Sequence, residues 1–152
     1  SYLGSRARPL RRGDLDAVVA LDAETFGVAR GRILRRLIQD YPHLAWVDEE
    51  DGRIAGFLLA QDDRQDGTPV HLGPWMHRSP WGAEKLLRTA LSVLIGREVR
   101  VDIPDRNTQA TALASTHNLR FQRACTRMHF GRGDPPPELI DQHYGVAALA
   151  TG

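Results

Sequence analysis

Cysteine and lysine are almost absent from this chain. Cys125 is the single cysteine in 152 residues, which excludes an internal disulfide framework and fits a reducing compartment. Lys85 is the sole lysine among 20 basic residues, and the formal net charge is +1. No lysine-rich tail or broad basic field therefore points to nucleic acid, and arginine usage of this kind reflects genome composition. The chain has no apolar run of about 18 residues that would cross a membrane. Nor does it show a basic segment followed by an apolar stretch and a small-residue cleavage site, so it is expected to be soluble and cytoplasmic, with no membrane partner. Histidines stand at 43, 71, 77, 117, 129 and 143 without the spacing of zinc ligands, so no metal site is expected. Cys125 reads as buried filler rather than a nucleophile. Because the sequence opens on Ser1 rather than Met, it is expected to be processed, tagged or a piece of a longer protein.

Apolar residues make up 41% of the chain, enough to build one compact core. A single domain over residues 1–152 is expected, with its core at about 7–131 and a proline-rich break and C-terminal segment over 132–152. Ala7 to Leu10 reads as a first strand, and Asp14 as the N-cap of a helix running from Leu15 to Phe26. Gly27 then supplies the left-handed cap. Ile33, Leu34, Leu37 and Ile38 share one face of a second helix that Pro42 ends. His43–Val47 and Arg53–Gln61 read as hairpin strands around an acidic turn, Asp48–Gly52, with Val70–Trp75 as the next strand.

A strongly apolar helix follows over Ala83, Leu86, Leu87, Ala90, Leu91, Val93 and Leu94, and a strand over Glu98–Ile103 comes after it. Strand, helix and strand with short joints predict a parallel pair with a right-handed crossover. Thr108–Thr116 reads as a helix with Ala110 and Leu113 on one face, Asn107 at its start and Asn118 as its cap. Phe121–Phe130 is the last strand candidate, and Glu138–Tyr144 a short terminal segment. This order predicts an α+β (mixed α/β layer) protein whose central twisted sheet is mostly antiparallel with one parallel pair, flanked by helices.

The stretch from Leu72 to Leu87 carries the most chemistry. A strand enters a turn holding His77, Arg78 and Ser79, then a helix whose first-turn N–H groups and partial positive charge suit a phosphate. Trp81 reads either as part of this cradle or as packing over the sheet edge.

These residues, taken with others in the same order, resemble the GNAT acetyltransferases, and within them the branch found as the second half of tandem GNAT proteins. The likeness is carried by Leu21-Asp22, Phe26-Gly27, Arg30, Leu34, Leu37, Gly56, Leu72-Gly73-Pro74, Ala83, Leu86-Leu87, Val101-Asp102-Ile103-Pro104, Asn107, Ala110 and Arg127–Gly131. It implies a GNAT-like acyl-CoA N-acyltransferase fold and acetyl-CoA as cofactor. Arg78 and Ala83 match the ends of the pyrophosphate signature, while Trp81 stands where its first glycine is expected and Pro80 brings no N–H.

The resemblance assigns cofactor contacts to His71, Leu72, Gly73, Arg78, Ser79, Trp81, Gly82, Ala83, Glu84 and Asn107. Its pantetheine arm would pair with the strand at His71, Leu72 and Gly73, and Pro74 suits a splay from the next strand. Asp102 is implied as the catalytic base, with Arg100 or Arg127 as structural partners in the other reading. The tyrosine that serves the family as acid falls at Ala114, which leaves Tyr41, Tyr144, His71, His77 or solvent to supply the proton. Phe26, Arg30 and Trp75 are expected to face the acceptor, with Arg30 either gripping an anion or pairing with an acid. The implied activity is acetyl transfer to a primary amine of a small molecule or peptide. The alternative is a catalytically weakened module that binds acyl-CoA or an amine within a larger protein, and a homodimer or a fusion to another GNAT domain would fit either.

Overall fold

The computed structural model describes residues 7–27, 29–64, 67–104, 107–117 and 143–145. Strand β1 (Arg8–Pro9) leads through a 3-10 turn (Arg12–Asp14) into helices α1 (Leu15–Phe26) and α2 (Gly31–Asp40). Three strands follow, β2 (Ala45–Glu50), β3 (Arg53–Gln61) and β4 (Val70–His77), then α3 (Pro80–Val93), β5 (Val99–Val101), α4 (Thr108–Thr116) and β6 (His143–Gly145). The sheet order is β1-β2-β3-β4-β5, with β6 also on β4. Strands β1 to β4 are antiparallel neighbours, and β4–β5 is the parallel pair that the strand-helix-strand spacing predicts.

Alternation along β3 divides the core into two layers. Phe57 and Leu59 join Val18, Leu21, Leu34 and Leu37 beneath α1 and α2. Leu58 and Ala60 join Leu72, Trp75, Leu86, Leu87 and Ala90 beneath α3 and α4. Each fully buried leucine contributes about 1.5–3 kcal/mol, so these layers hold both helix pairs on the sheet. None of the helices among the described residues is long and apolar enough to cross a membrane.

Several boundaries differ from the sequence reading. Helix α1 does end at Gly27, whose φ of 88° is a left-handed conformation that glycine adopts without a Cβ penalty. Asp14, however, makes no side-chain cap to α1: its carboxylate accepts the Arg11 N–H at 2.7 Å and the Arg8 fork at 2.8 and 2.9 Å. With the Arg8 fork and the Arg11 N–H both on it, the carboxylate is turned away from the first turn of α1. Strand β2 runs on to Glu50, so Asp48 lies in the strand rather than in the turn, which contracts to Asp51 and Gly52. Strand β4 continues past Trp75 to His77, whereas β5 stops at Val101 and leaves Asp102 beyond its last pair. The strand expected over Phe121–Phe130, the cap at Asn118, Cys125, Arg127 and the rest of Arg127–Gly131 lie outside the described residues. Strand β6 falls at the end of the segment read only as a short C-terminal piece.

Candidate cofactor and active site

The head of α3 is assembled by β4 and a single N-cap. Ser79 is extended at φ −133° and ψ 149°, its Oγ accepts the Gly82 N–H at 3.2 Å, and its carbonyl accepts the Ala83 N–H at 3.0 Å. Pro80 has no N–H, so Trp81 offers the one first-turn donor that these bonds do not use. The Trp81 side chain is 68% exposed, which rules out packing over the sheet edge. Arg78 is half-exposed and donates to Glu24 at 3.2 Å, while Ser79 Oγ lies 3.4 Å from Glu50 Oε1. An anion here would meet the Arg78 guanidinium and the Trp81 N–H, with the Glu24 and Glu50 carboxylates alongside. Glu84, one turn further, lies 3.3 Å from His117 Nε2.

Directly under this head sits a polar network that sequence reasoning missed. His77 Nε2 is 2.8 Å from Asp48 Oδ2, and Lys85 Nζ donates to Asp48 Oδ1 at 2.8 Å. His77 and Asp48 are both buried. Burial pushes the Asp48 carboxyl up, but the hydrogen bonds from His77 and Lys85 outweigh it and hold the group below the usual carboxylate value. The Ser79 N–H donates to His77 Nδ1 at 2.9 Å, which places the ring proton on Nε2, facing Asp48.

Asp48, Glu50 and His77 bring three ligand-type atoms within 4.8 Å of one another. Their proton arrangement does not suit a metal. A cation on Nε2 would displace the proton there and require one on Nδ1, where it would oppose the Ser79 N–H, and Lys85 already serves as the cation for Asp48.

At the other end of β4, His71 and Leu72 pair with Gln61 and Ala60 of β3 and with Arg100 and Val101 of β5. Gly73, at φ 148°, precedes a cis peptide to Pro74, and its carbonyl accepts from Gln61 Nε2 at 3.4 Å. Beyond that point β5 diverges and β6 takes its place, Gly145 opposite Trp75 and His143 opposite Met76. Buried Tyr144 stacks obliquely on Trp75, with ring centroids 5.1 Å apart. Gly145 fits between the strands so closely that a Cβ there would lie 3.1 Å from Val101 Cγ2 and 3.3 Å from Trp75 Cβ.

Asp102 is buried where β5 leaves β4. Arg100 Nη2 holds its Oδ1 at 3.2 Å, and His71 Nδ1 is 3.8 Å from its Oδ2. Asn107 caps α4, its side chain accepting the Ala110 N–H at 3.0 Å. Ala114 is buried on the inner face of α4. Trp75 is enclosed in the core, with its indole N–H donating to Ala83 O at 3.2 Å. Arg30 forks onto buried Asp22 at 2.8 and 2.9 Å and lies 3.8 Å above the Phe26 ring. Its guanidinium thus takes the acid-pairing role. Of the other tyrosines, Tyr41, at the C-terminal end of α2, donates to Asp63 at 3.1 Å.

The structure therefore gathers Arg78, Ser79, Trp81, Gly82 and Ala83 at one mouth and His71 with Asp102 at the parallel junction. It sets Phe26 with Arg30 between α1 and α2, and encloses Trp75. The lone lysine was the available signal for the missed network. The glycines at 56 and 82 were a second one.

A mostly antiparallel sheet with one parallel pair joined through α3, with helices on both faces, defines a mixed α+β fold. A family model described as an acetyltransferase (GNAT) domain matches residues 18–145. The chain belongs to the GNAT acetyltransferase family. Among solved structures it is similar to a candidate acetyltransferase from Pyrococcus horikoshii, at 27% identity and TM-score 0.69, over 90% of this chain and 43% of that one. The chain thus spans less than half the length of that protein. A Thermus thermophilus protein shares the fold at 18% identity and TM-score 0.62, and an aminoglycoside 6'-N-acetyltransferase from Acinetobacter haemolyticus at 16% and 0.54. Each of these two is covered over its whole length by 86% of this chain. A search of curated proteins finds no match.

Proposed function

We propose that the chain is a cytoplasmic, acetyl-CoA-dependent N-acetyltransferase acting on a primary amine of a small molecule or peptide. The observation that carries this reading is the divergence of β4 from β5 after the Leu72–Val101 pair, in a GNAT domain whose α3 head opens at the end of β4. Bound acetyl-CoA supplies the activated acetyl thioester. Arg78 and the Trp81 N–H would meet its phosphates; His71 and Leu72, expected to pair with its extended arm, already have β3 on one side and β5 on the other, so the arm would lie along β4 from Gly73 onward. That edge is the one β6 lines, so loading requires β6 to give way. Asp102, with His71 beside it, accepts the proton of the attacking amine, and Arg100 orients the carboxylate. The departing thiolate takes its proton from solvent, since a thiol of pKa about 8.5 needs little assistance.

The test combines thermal shift with coenzyme A or acetyl-CoA and thiol release across an amine panel. No shift at millimolar cofactor defeats the reading. A shift without thiol release favours a second one, a GNAT module that binds acyl-CoA without turnover. Ala114 at the acid position, Pro80 at the cradle and β6 on β4 support that alternative. This chain spans 43% of the Pyrococcus protein, which leaves room for a second domain there, so a fusion to another GNAT domain is one assembly to test. A homodimer is the other assembly to test by sedimentation.

A further inference from the structure

We propose that His77 is a positioning residue: by accepting the Ser79 N–H on Nδ1, it fixes Ser79, Pro80 and Trp81 in the conformation that receives the phosphate end of coenzyme A. The proposal rests on the coenzyme A reading above and goes beyond it by assigning the geometry of the anion site to a side chain beneath the site.

His77 is 1% exposed, and two glycines make room for its ring. A Cβ at Gly56 would stand 2.2 Å from Cδ2, and one at Gly82 would stand 1.8 Å from Nε2. Either contact is far inside van der Waals range, so the imidazole occupies its place only because both positions lack a side chain. Its orientation is set from the other end. Nε2–H donates to Asp48 Oδ2 at 2.8 Å, Lys85 holds Asp48 Oδ1 at 2.8 Å, and Glu50 Oε1 lies 3.8 Å from Nε2. A neutral ring with its proton on Nε2 has one lone pair left, on Nδ1, and that lone pair takes the Ser79 N–H at 2.9 Å, with Ser79 Oγ further off at 3.3 Å.

Ser79 is the hinge of the whole head. Its N–H goes down to His77, its Oγ caps Gly82 at 3.2 Å, and its carbonyl accepts the Ala83 N–H at 3.0 Å. Arg78 is fixed separately, its N–H donating to Ala55 O at 3.1 Å. Between these anchors only the Trp81 N–H is left to point outward, so a cradle short of donors depends on that single group being well aimed. Removing the Nδ1 acceptor frees Ser79 to rotate, and the aim is lost.

Two isosteric variants separate this role from mere packing. His77→Asn puts its carbonyl oxygen near the place of Nδ1 and keeps the acceptor for Ser79, whereas His77→Gln reaches toward Asp48 and leaves the Ser79 N–H without one. Calorimetric titration is carried out with coenzyme A and with pantetheine, which lacks the phosphates. His77→Gln is expected to weaken coenzyme A binding by about tenfold and His77→Asn by less than about threefold, with pantetheine binding both as it binds the wild type. Equal losses in the two variants, no loss in His77→Gln, or the same loss for pantetheine would overturn the proposal. If either variant fails to fold, long-range 15N spectra of the wild type decide. An Nε2–H tautomer with a Ser79 amide that shifts on adding coenzyme A supports the proposal, and an Nδ1–H tautomer or an unmoved Ser79 amide overturns it. A wild type that binds no coenzyme A removes the cofactor reading and this proposal together, a result distinct from failure in the variants alone.

Discussion

Gly82 lies against the His77 imidazole so closely that a Cβ on residue 82 would stand 1.8 Å from Nε2. In an exposed helix, alanine is favoured over glycine by about 1 kcal/mol. Here the sign reverses. Gly82→Ala is expected to lower stability by about 1–3 kcal/mol through overpacking, and Gly56→Ala to do the same. Chemical denaturation checks this, and the smaller side chain of His77→Asn should restore part of the loss in the Gly82→Ala background, because the two positions are coupled. An additive double variant would mean that the loss at residue 82 does not come from its contact with residue 77.

Asp48 bonds both His77 and Lys85, and losing its charge takes a buried carboxylate from the half-buried Lys85 ammonium. Asp48→Asn should cost about 3 kcal/mol at neutral pH. Its carboxyl is held below the usual carboxylate value when folded, so the unfolded chain binds the proton more readily. The stability it contributes is complete above the unfolded value of about 3.9 and is lost as pH falls through the lower folded value. Asp14, held down chiefly by the Arg8 hydrogen bond, adds to the same acid limb. Denaturation curves at stepped pH should show a shallower acid limb in Asp48→Asn than in the wild type. Parallel curves would contradict the assignment.

Asp102 makes a direct kinetic test possible. Asp102→Asn keeps an oxygen for Arg100 but removes the base, and turnover should fall by about a hundredfold or more, with a flattened pH dependence of kcat/KM. An unchanged pH profile would transfer the proton to His71.

Arg78→Ala should weaken coenzyme A severalfold and leave pantetheine untouched. Its pair with Glu24 is half-exposed, so stability should move by less than about 0.5 kcal/mol. Equal coenzyme A affinity in variant and wild type would make Arg78 a solvated partner of Glu24 only.

Strand β6 occupies the edge of β4 at Trp75 and Met76. Hydrogen exchange at residues 143–145 should therefore quicken when coenzyme A binds, since those amides lose their partners on β4. Unchanged protection in a protein that binds coenzyme A would place the cofactor elsewhere.

Local rules made much of the scaffold readable in advance. Helix α4 spans Thr108–Thr116 as its small-residue face and Asn107 cap imply, and α1 stops at Gly27 because glycine accepts the left-handed turn. Short joints were enough to imply the parallel β4–β5 pair. The site was less legible. Asp48 belongs to an acidic run that reads as a turn, and only its neighbours in the folded sheet show that it points inward.

The amino-acid pattern by itself determined the order of elements from β1 to α4, the two helix pairs and the hairpin, because each depends on residues a few positions apart. Tertiary structure alone decided which charges are buried together. His77 and Lys85 reach Asp48 across 29 and 37 residues, and no period along the chain encodes such distances. It likewise decided the place of β6, since three residues are too few to carry an alternation and find their partner only when β4 and β5 part.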